Sequence, residues 1–150
     1  MATGLLIQPE LVIAWIRNDP DDPLWASVKD FFENPDNAVY PALSAVSFGI
    51  ANSSIESATG LSQQQKSALQ SALRSLQRNR DGQGSFYGFE LDAATEWADV
   101  RFHCRQLAQE PTGEVQMEYA IARANQLEIL APRAGQQKYP QISNLTVRYL

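Results

Sequence analysis

Among its 150 residues the chain has one cysteine, Cys104, and one histidine, His103. That scarcity excludes an internal disulfide framework and a Cys/His zinc cluster, so any bound metal has to be held mainly by carboxylates. Long apolar runs are also missing. Nothing approaches the roughly 18 consecutive apolar residues that span a bilayer, and no basic segment followed by a long apolar one opens the chain. The expectation is a cytoplasmic protein without membrane contact. Positive charge is in deficit too, with 12 Lys and Arg against 17 Asp and Glu and a formal net charge of −5. Unspecific wrapping around nucleic acid is disfavoured by that balance, although a local basic patch could still contact a short RNA.

What the chain does have, 44% hydrophobic and 19% charged residues, suits one globular domain over residues 1–150. Leu5 to Ile7 reads as a strand, and Glu10 to Arg17 as a helix that buries Leu11, Val12, Trp15 and Ile16. Asp22-Pro23 starts a second helix with the stripe Leu24, Trp25, Val28, Phe31 and Phe32. Ala38 to Leu43 reads as a strand and Ser44 to Asn52 as a short, mostly apolar helix. Ser62-Gln63-Gln64-Gln65 has the form of a capping box, with Ala68, Leu69, Ala72, Leu73 and Leu76 as the stripe behind it. After the loop Asp81 to Gly84, a third strand is expected over Ser85 to Glu90. A helix capped by Asp92 turns Ala93, Ala94, Trp97, Val100, Cys104 and Leu107 inward. A helix over Glu114 to Gln126, a strand over Leu127 to Leu130, a polar loop and a final strand over Thr146 to Leu150 complete the order. Strands alternating with helices predict an α/β/α sandwich around a mostly parallel sheet, with its site beyond the strands' carboxyl ends.

Four segments carry a likeness to a known family: GLLIQPELVIAWIRNDPDD, VYPALSAVSFGIANSSI, GFELDAATEWADVR and PTGEVQMEYAIARANQLEILAP. In these and in its element order the chain resembles a divergent PIN domain, in particular the VapC-like toxins of prokaryotic toxin–antitoxin systems, over nearly its whole length. The resemblance implies a three-layer PIN-like fold. It also implies a ribonuclease in which three or four carboxylates hold Mg²⁺ or Mn²⁺, and the metal activates water for attack on a phosphodiester.

Carried over by position, the family's first Asp falls on Gln8, a neutral amide. Its Glu falls near Ile50, within Ser44 to Asn52, which contains no acid. The third carboxylate falls at Val115-Gln116, with Glu114 and Glu118 as the nearby acids, and the fourth on Ala131-Pro132-Arg133. Each metal-ligand position therefore departs from the pattern. The reading is a pseudoenzyme with degenerate nuclease positions that acts through binding, as a homodimer or with a protein partner, and no cofactor is expected.

Two other readings stand beside it. Glu10, Glu114 and Glu118 could rebuild a Mg²⁺- or Mn²⁺-dependent endoribonuclease site. Against this, Glu10 and Glu114 suit first-turn acids that complement the helix dipole, and Glu118 suits a solvated helix position. Alternatively, Arg74, Arg78, Arg80 and Arg133 could bind RNA without metal, although cations at a helix end also complement its dipole. His103 and Cys104 point about 100° apart on a helix and have no visible orienting partner, so a nucleophile and base there is disfavoured. Trp15, Trp25, Phe31 and Phe32 read as core. The resemblance adds that PIN toxins use their first helices, and the hairpin around the third and fourth, to dimerise and to receive an antitoxin segment. The Leu69, Leu73 and Leu76 face is a candidate interface if the monomer leaves it exposed.

Overall fold

The computed structural model describes residues 2 to 150. Five strands, β1 (Thr3–Ile7), β2 (Val39–Ser44), β3 (Phe86–Tyr87), β4 (Glu128–Ala131) and β5 (Val147–Tyr149), form one sheet in the order β3-β2-β1-β4-β5. All four pairings are parallel. Parallel neighbours need long crossovers, and among the described residues six helices supply them: α1 (Pro9–Arg17), α2 (Pro23–Glu33), α3 (Ala45–Ser57), α4 (Gln63–Gly82), α5 (Leu91–Arg105) and α6 (Gly113–Ala124).

Alternation along the strands assigns side chains to two cores. Leu5, Ile7, Leu43 and Leu130 pack with Leu11, Val12 and Ile16 of α1, Val28 of α2, Ala51 and Ile55 of α3, and Leu73 and Leu76 of α4. Leu6, Ala42, Ile129 and Ala131 point the other way, to Ala93, Val100 and Cys104 of α5 and Tyr119 to Ala122 of α6. Central strands covered on both faces are apolar throughout, as the run Leu5-Leu6-Ile7 shows. Among the described residues, no helix is long and apolar enough to cross a membrane.

Local chemistry explains the helix starts. Asp22 accepts the Leu24 amide ahead of Pro23, and Ser62 and Gln65 form the reciprocal capping box. Several expectations change. The third strand shrinks to two residues, because Ser85 turns back to donate both its amide and its hydroxyl to the Arg80 carbonyl. Helix α5 starts at Leu91 behind Glu90, so Asp92 lies inside its first turn and is not its cap. The helix after β2 runs on to Ser57, and α4 to Gly82.

Leu73 and Leu76 are buried, and Leu69 packs partly buried against the same cluster. Their stripe is the contact of α4 with the sheet, so the face expected to be an interface is interior. The aromatics of the first two helices lie at the edge of this core. Trp15 packs tilted against Phe32, ring centres 5.8 Å apart, and Phe31 meets Phe32 edge-on at 5.4 Å, with all three half-buried.

Candidate functional site

In this strand order the chain runs outward from β1 in both directions, which opens a crevice at the carboxyl ends of β1 and β4. A cleft of about 370 Å³ lies there, and Gln8, Glu10, Ile50, Glu114, Glu118 and Tyr139 are among its lining residues. The structure therefore brings Gln8 and all three candidate acids to one place.

Gln8 follows β1 as the cap residue of α1, and its backbone amide donates to the Leu130 carbonyl. Ser44 is at once the last residue of β2 and the cap of α3, where its Oγ accepts the Ser47 amide at 2.9 Å. Helix α6, capped by Thr112, carries Glu118 into the interior from the opposite layer. Four side chains from four elements meet as a result. Gln8 Nε2 donates to Glu118 Oε2 at 3.2 Å and faces the Leu6 carbonyl at 3.3 Å. Ser44 Oγ donates to Glu118 Oε1. Ser47 Oγ lies 2.9 Å from the same oxygen and 3.2 Å from the Ile7 carbonyl.

Glu118 is thus no solvated helix residue: it is 1% exposed, and Gln8, Ser44 and Ser47 are fully buried beside it. The sequence puts it one turn from exposed Glu114, yet α6 is buried almost all round from Glu118 to Ala122. Among the described residues, no cation pairs with it. Burial pushes its pKa up, against the downward pull of the bonds from Ser44, Ser47 and Gln8, which favours the neutral acid relative to an exposed glutamate.

Glu10, in the first turn of α1, is taken up differently. The Tyr139 hydroxyl donates to its carboxylate, with Oε2 at 2.7 Å and Oε1 at 3.0 Å. Tyr139 sits in the segment between β4 and β5, which two further tyrosines hold in place: Tyr119 Oη donates to the Pro140 carbonyl and Tyr149 Oη to that of Tyr139. Burial and the bond to Glu10 both push the Tyr139 pKa up, so the phenol stays a donor. Replacing Tyr139 with Phe should cost about 1 kcal/mol, seen as a lower urea midpoint at unchanged m value. An unshifted midpoint would mean that water replaces the hydroxyl at Glu10 without loss.

These donor sets do not fit a Mg²⁺ or Mn²⁺ ion. Such an ion needs convergent, negatively charged oxygens. Here Gln8 presents its NH₂ to Glu118, both Glu118 oxygens accept hydrogen bonds, and Glu10 is engaged by Tyr139. Among the described residues, no three Asp, Glu, His or Cys side chains converge as a metal site would require.

The remaining candidates separate in space. Arg74 and Arg78 are exposed on α4, whereas Arg80 is 7% exposed and donates to the Pro41 carbonyl. Desolvation lowers the pKa of Arg80, which serves as a strut under β2 and cannot extend a basic surface. Arg133 is exposed behind β4, 3.3 Å from the Tyr149 carbonyl. His103 lies 3.4 Å from Asp99, which also pairs with Arg123 of α6 at 2.7 Å, and Cys104 is buried. The sequence reading missed Ser44, Ser47 and Tyr139. The two serines were visible only as small polar residues in an acid-free helix, and Tyr139 as one aromatic in a polar loop.

No protein-family model and no curated protein sequence matches the chain. Solved structures do. A chain of the VapBC2 complex from Rickettsia felis, bound to a DNA fragment from its promoter, superposes with a TM-score of 0.69 at 13% identity, covering 98% of each chain. FitAcB from Neisseria gonorrhoeae gives 0.66 at 18% identity over 95% of each chain. VapBC-5 of Mycobacterium tuberculosis, a member of the VapBC family of toxin-antitoxin systems, gives 0.61 at 13% identity over 99% of this chain and 98% of that one. At such identities the likeness establishes the fold, the PIN-like sandwich of VapC-type toxin chains.

Proposed function

We propose that this PIN-like domain acts by binding a protein partner and carries no divalent-metal nuclease chemistry. One observation carries the reading: the interior carboxylate of the crevice, Glu118, is bonded to Gln8, Ser44 and Ser47 in a closed hydrogen-bonded group. Metal binding would have to strip three donors from Glu118 and free Glu10 from the Tyr139 hydroxyl, with Gln8 offering one neutral oxygen. The likeness to chains solved within VapBC and FitAcB complexes supports association with another protein as the mode of action.

The test is a Mn²⁺ titration of isotope-labelled protein, read as paramagnetic broadening of backbone amide signals. Broadening spread thinly over exposed acids is expected up to millimolar metal. Broadening concentrated around Gln8, Ser44 and Glu118 would overturn the reading and restore metal-dependent endoribonuclease chemistry.

A further inference from the structure

The hydrogen-bonded group around Glu118 leaves one buried polar atom over. Gln8 is fully buried and lines the cleft just after β1. Its Nε2 is turned to Glu118 and the Leu6 carbonyl, whereas its Oε1 is buried and, among the described residues, meets no donor. A buried acceptor in that state is costly, and in folded proteins nearly all such atoms find a partner. A molecule in the cleft can supply the missing donor.

The rest of the cleft selects the kind of molecule. Pro9, Ile50, Pro111 and Val115 give it apolar walls, and three carboxylates, Glu10, Glu110 and Glu114, stand around it against one cation, Lys138. Glu110 and Glu114 are exposed, so the negative charge lies at the mouth while the neutral Gln8 oxygen lies deep. Arg105 approaches Glu110 only at 3.9 Å. Among the described residues no three acids converge on one point, so these carboxylates suit positive charges spaced along a chain and not a single small ion. At about 370 Å³ the cleft has the size of a small-molecule site.

We propose that the crevice holds a linear aliphatic diamine or polyamine. One ammonium donates to Gln8 Oε1, the methylenes lie along Pro9, Ile50, Pro111 and Val115, and a second ammonium meets the carboxylates at the mouth. An alkylammonium brings three N–H donors and no acceptor, which matches a cleft whose unspent groups are acceptors. This inference rests on the metal-free reading of the same crevice and goes beyond it by naming a ligand.

Titration of the isotope-labelled whole protein with 1,4-diaminobutane and with spermidine, read as backbone amide shifts, tests it. Saturable shifts confined to the segments around Gln8, Ile50 and Glu114 are expected, with a dissociation constant below about 1 mM at low salt. Added salt should weaken binding, because one ion pair is exposed. 1,4-Butanediol, of the same length without charge, should shift nothing at about 10 mM. Gln8→Leu should weaken the diamine at least about tenfold by removing a buried acceptor, and Glu114→Lys at least about fivefold by reversing a charge at the mouth. Glu114 is exposed, so Glu114→Lys keeps its native circular dichroism even where Gln8→Leu does not.

Shifts that never saturate and follow exposed acids over the whole surface would overturn the proposal, as unspecific ion pairing only. Equal shifts with butanediol would overturn it too, and so would an affinity that Glu114→Lys leaves unchanged. Failure here is distinguishable from failure of the metal-free reading. A crevice silent to both diamine and Mn²⁺ sinks this inference and leaves that reading standing, whereas Mn²⁺ broadening concentrated around Gln8 sinks both.

Discussion

Glu118→Ala should destabilise the protein by about 3–5 kcal/mol, because it opens a cavity and leaves the buried Ser44, Ser47 and Gln8 without their common acceptor. Glu118→Gln is the informative companion. The new amide can still accept from Ser44 and Ser47, and Gln8 can turn its side chain over so that Oε1, which has no partner, accepts from it. The direction of the Glu118 pKa fixes the sign of the pH effect. With its pKa raised in the folded state, Glu118 takes up a proton at higher pH in the folded wild type than in the unfolded chain. Its contribution is complete below the ordinary carboxylate range and is lost as pH rises through the raised value, at about 1.4 kcal/mol per pH unit. Urea midpoints at pH 5, 7 and 9 should therefore fall more steeply for the wild type than for Glu118→Gln. Parallel profiles would show Glu118 ionised at little cost, and so able to offer a charged oxygen to a cation.

Leu73→Ala should cost about 2–4 kcal/mol, the usual range for a fully buried leucine whose neighbours collapse only partly. Leu73 packs in the core that joins α1, α3 and the sheet, so the loss belongs to the monomer. The urea midpoint should fall by the same amount at low and high protein concentration. If the loss instead grew on dilution, Leu73 would lie at a subunit contact, as its sequence stripe had suggested.

These two residues also mark what could be read from sequence. Element order and fold class were legible, because helix caps such as Asp22 and Ser62 and the apolar run Leu5-Leu6-Ile7 are short-range signals. Gln8 was legible because a strand precedes it and a proline follows. What failed depended on which neighbour covers a face. The stripe of Leu69, Leu73 and Leu76 looks the same whether it meets a sheet or a second molecule. Exposed Leu91 and Phe102 sit among the same residue types as buried Val100 and Cys104, so period alone could not rank the two sides of α5. Glu118 was misread because its three donors are 71 to 110 residues away in the chain. Arg80 was misread because an arginine can run its stem along apolar surface and end on a carbonyl.

The sheet order bears on how the chain acquires its structure. Central β1 pairs on one side with β2, some 36 residues on, as in Thr3 with Val39. On the other side it pairs with β4, where Leu5 meets Glu128. That second pairing has high contact order, so its loop-closure entropy is met late and folding is slow for a domain of this size. During synthesis the apolar β1 emerges early and keeps one edge open until residues 128 to 130 follow it out of the ribosome. Holding factors that shield such an edge should therefore raise the yield of folded chain, and agents that slow elongation late in the message should lower it.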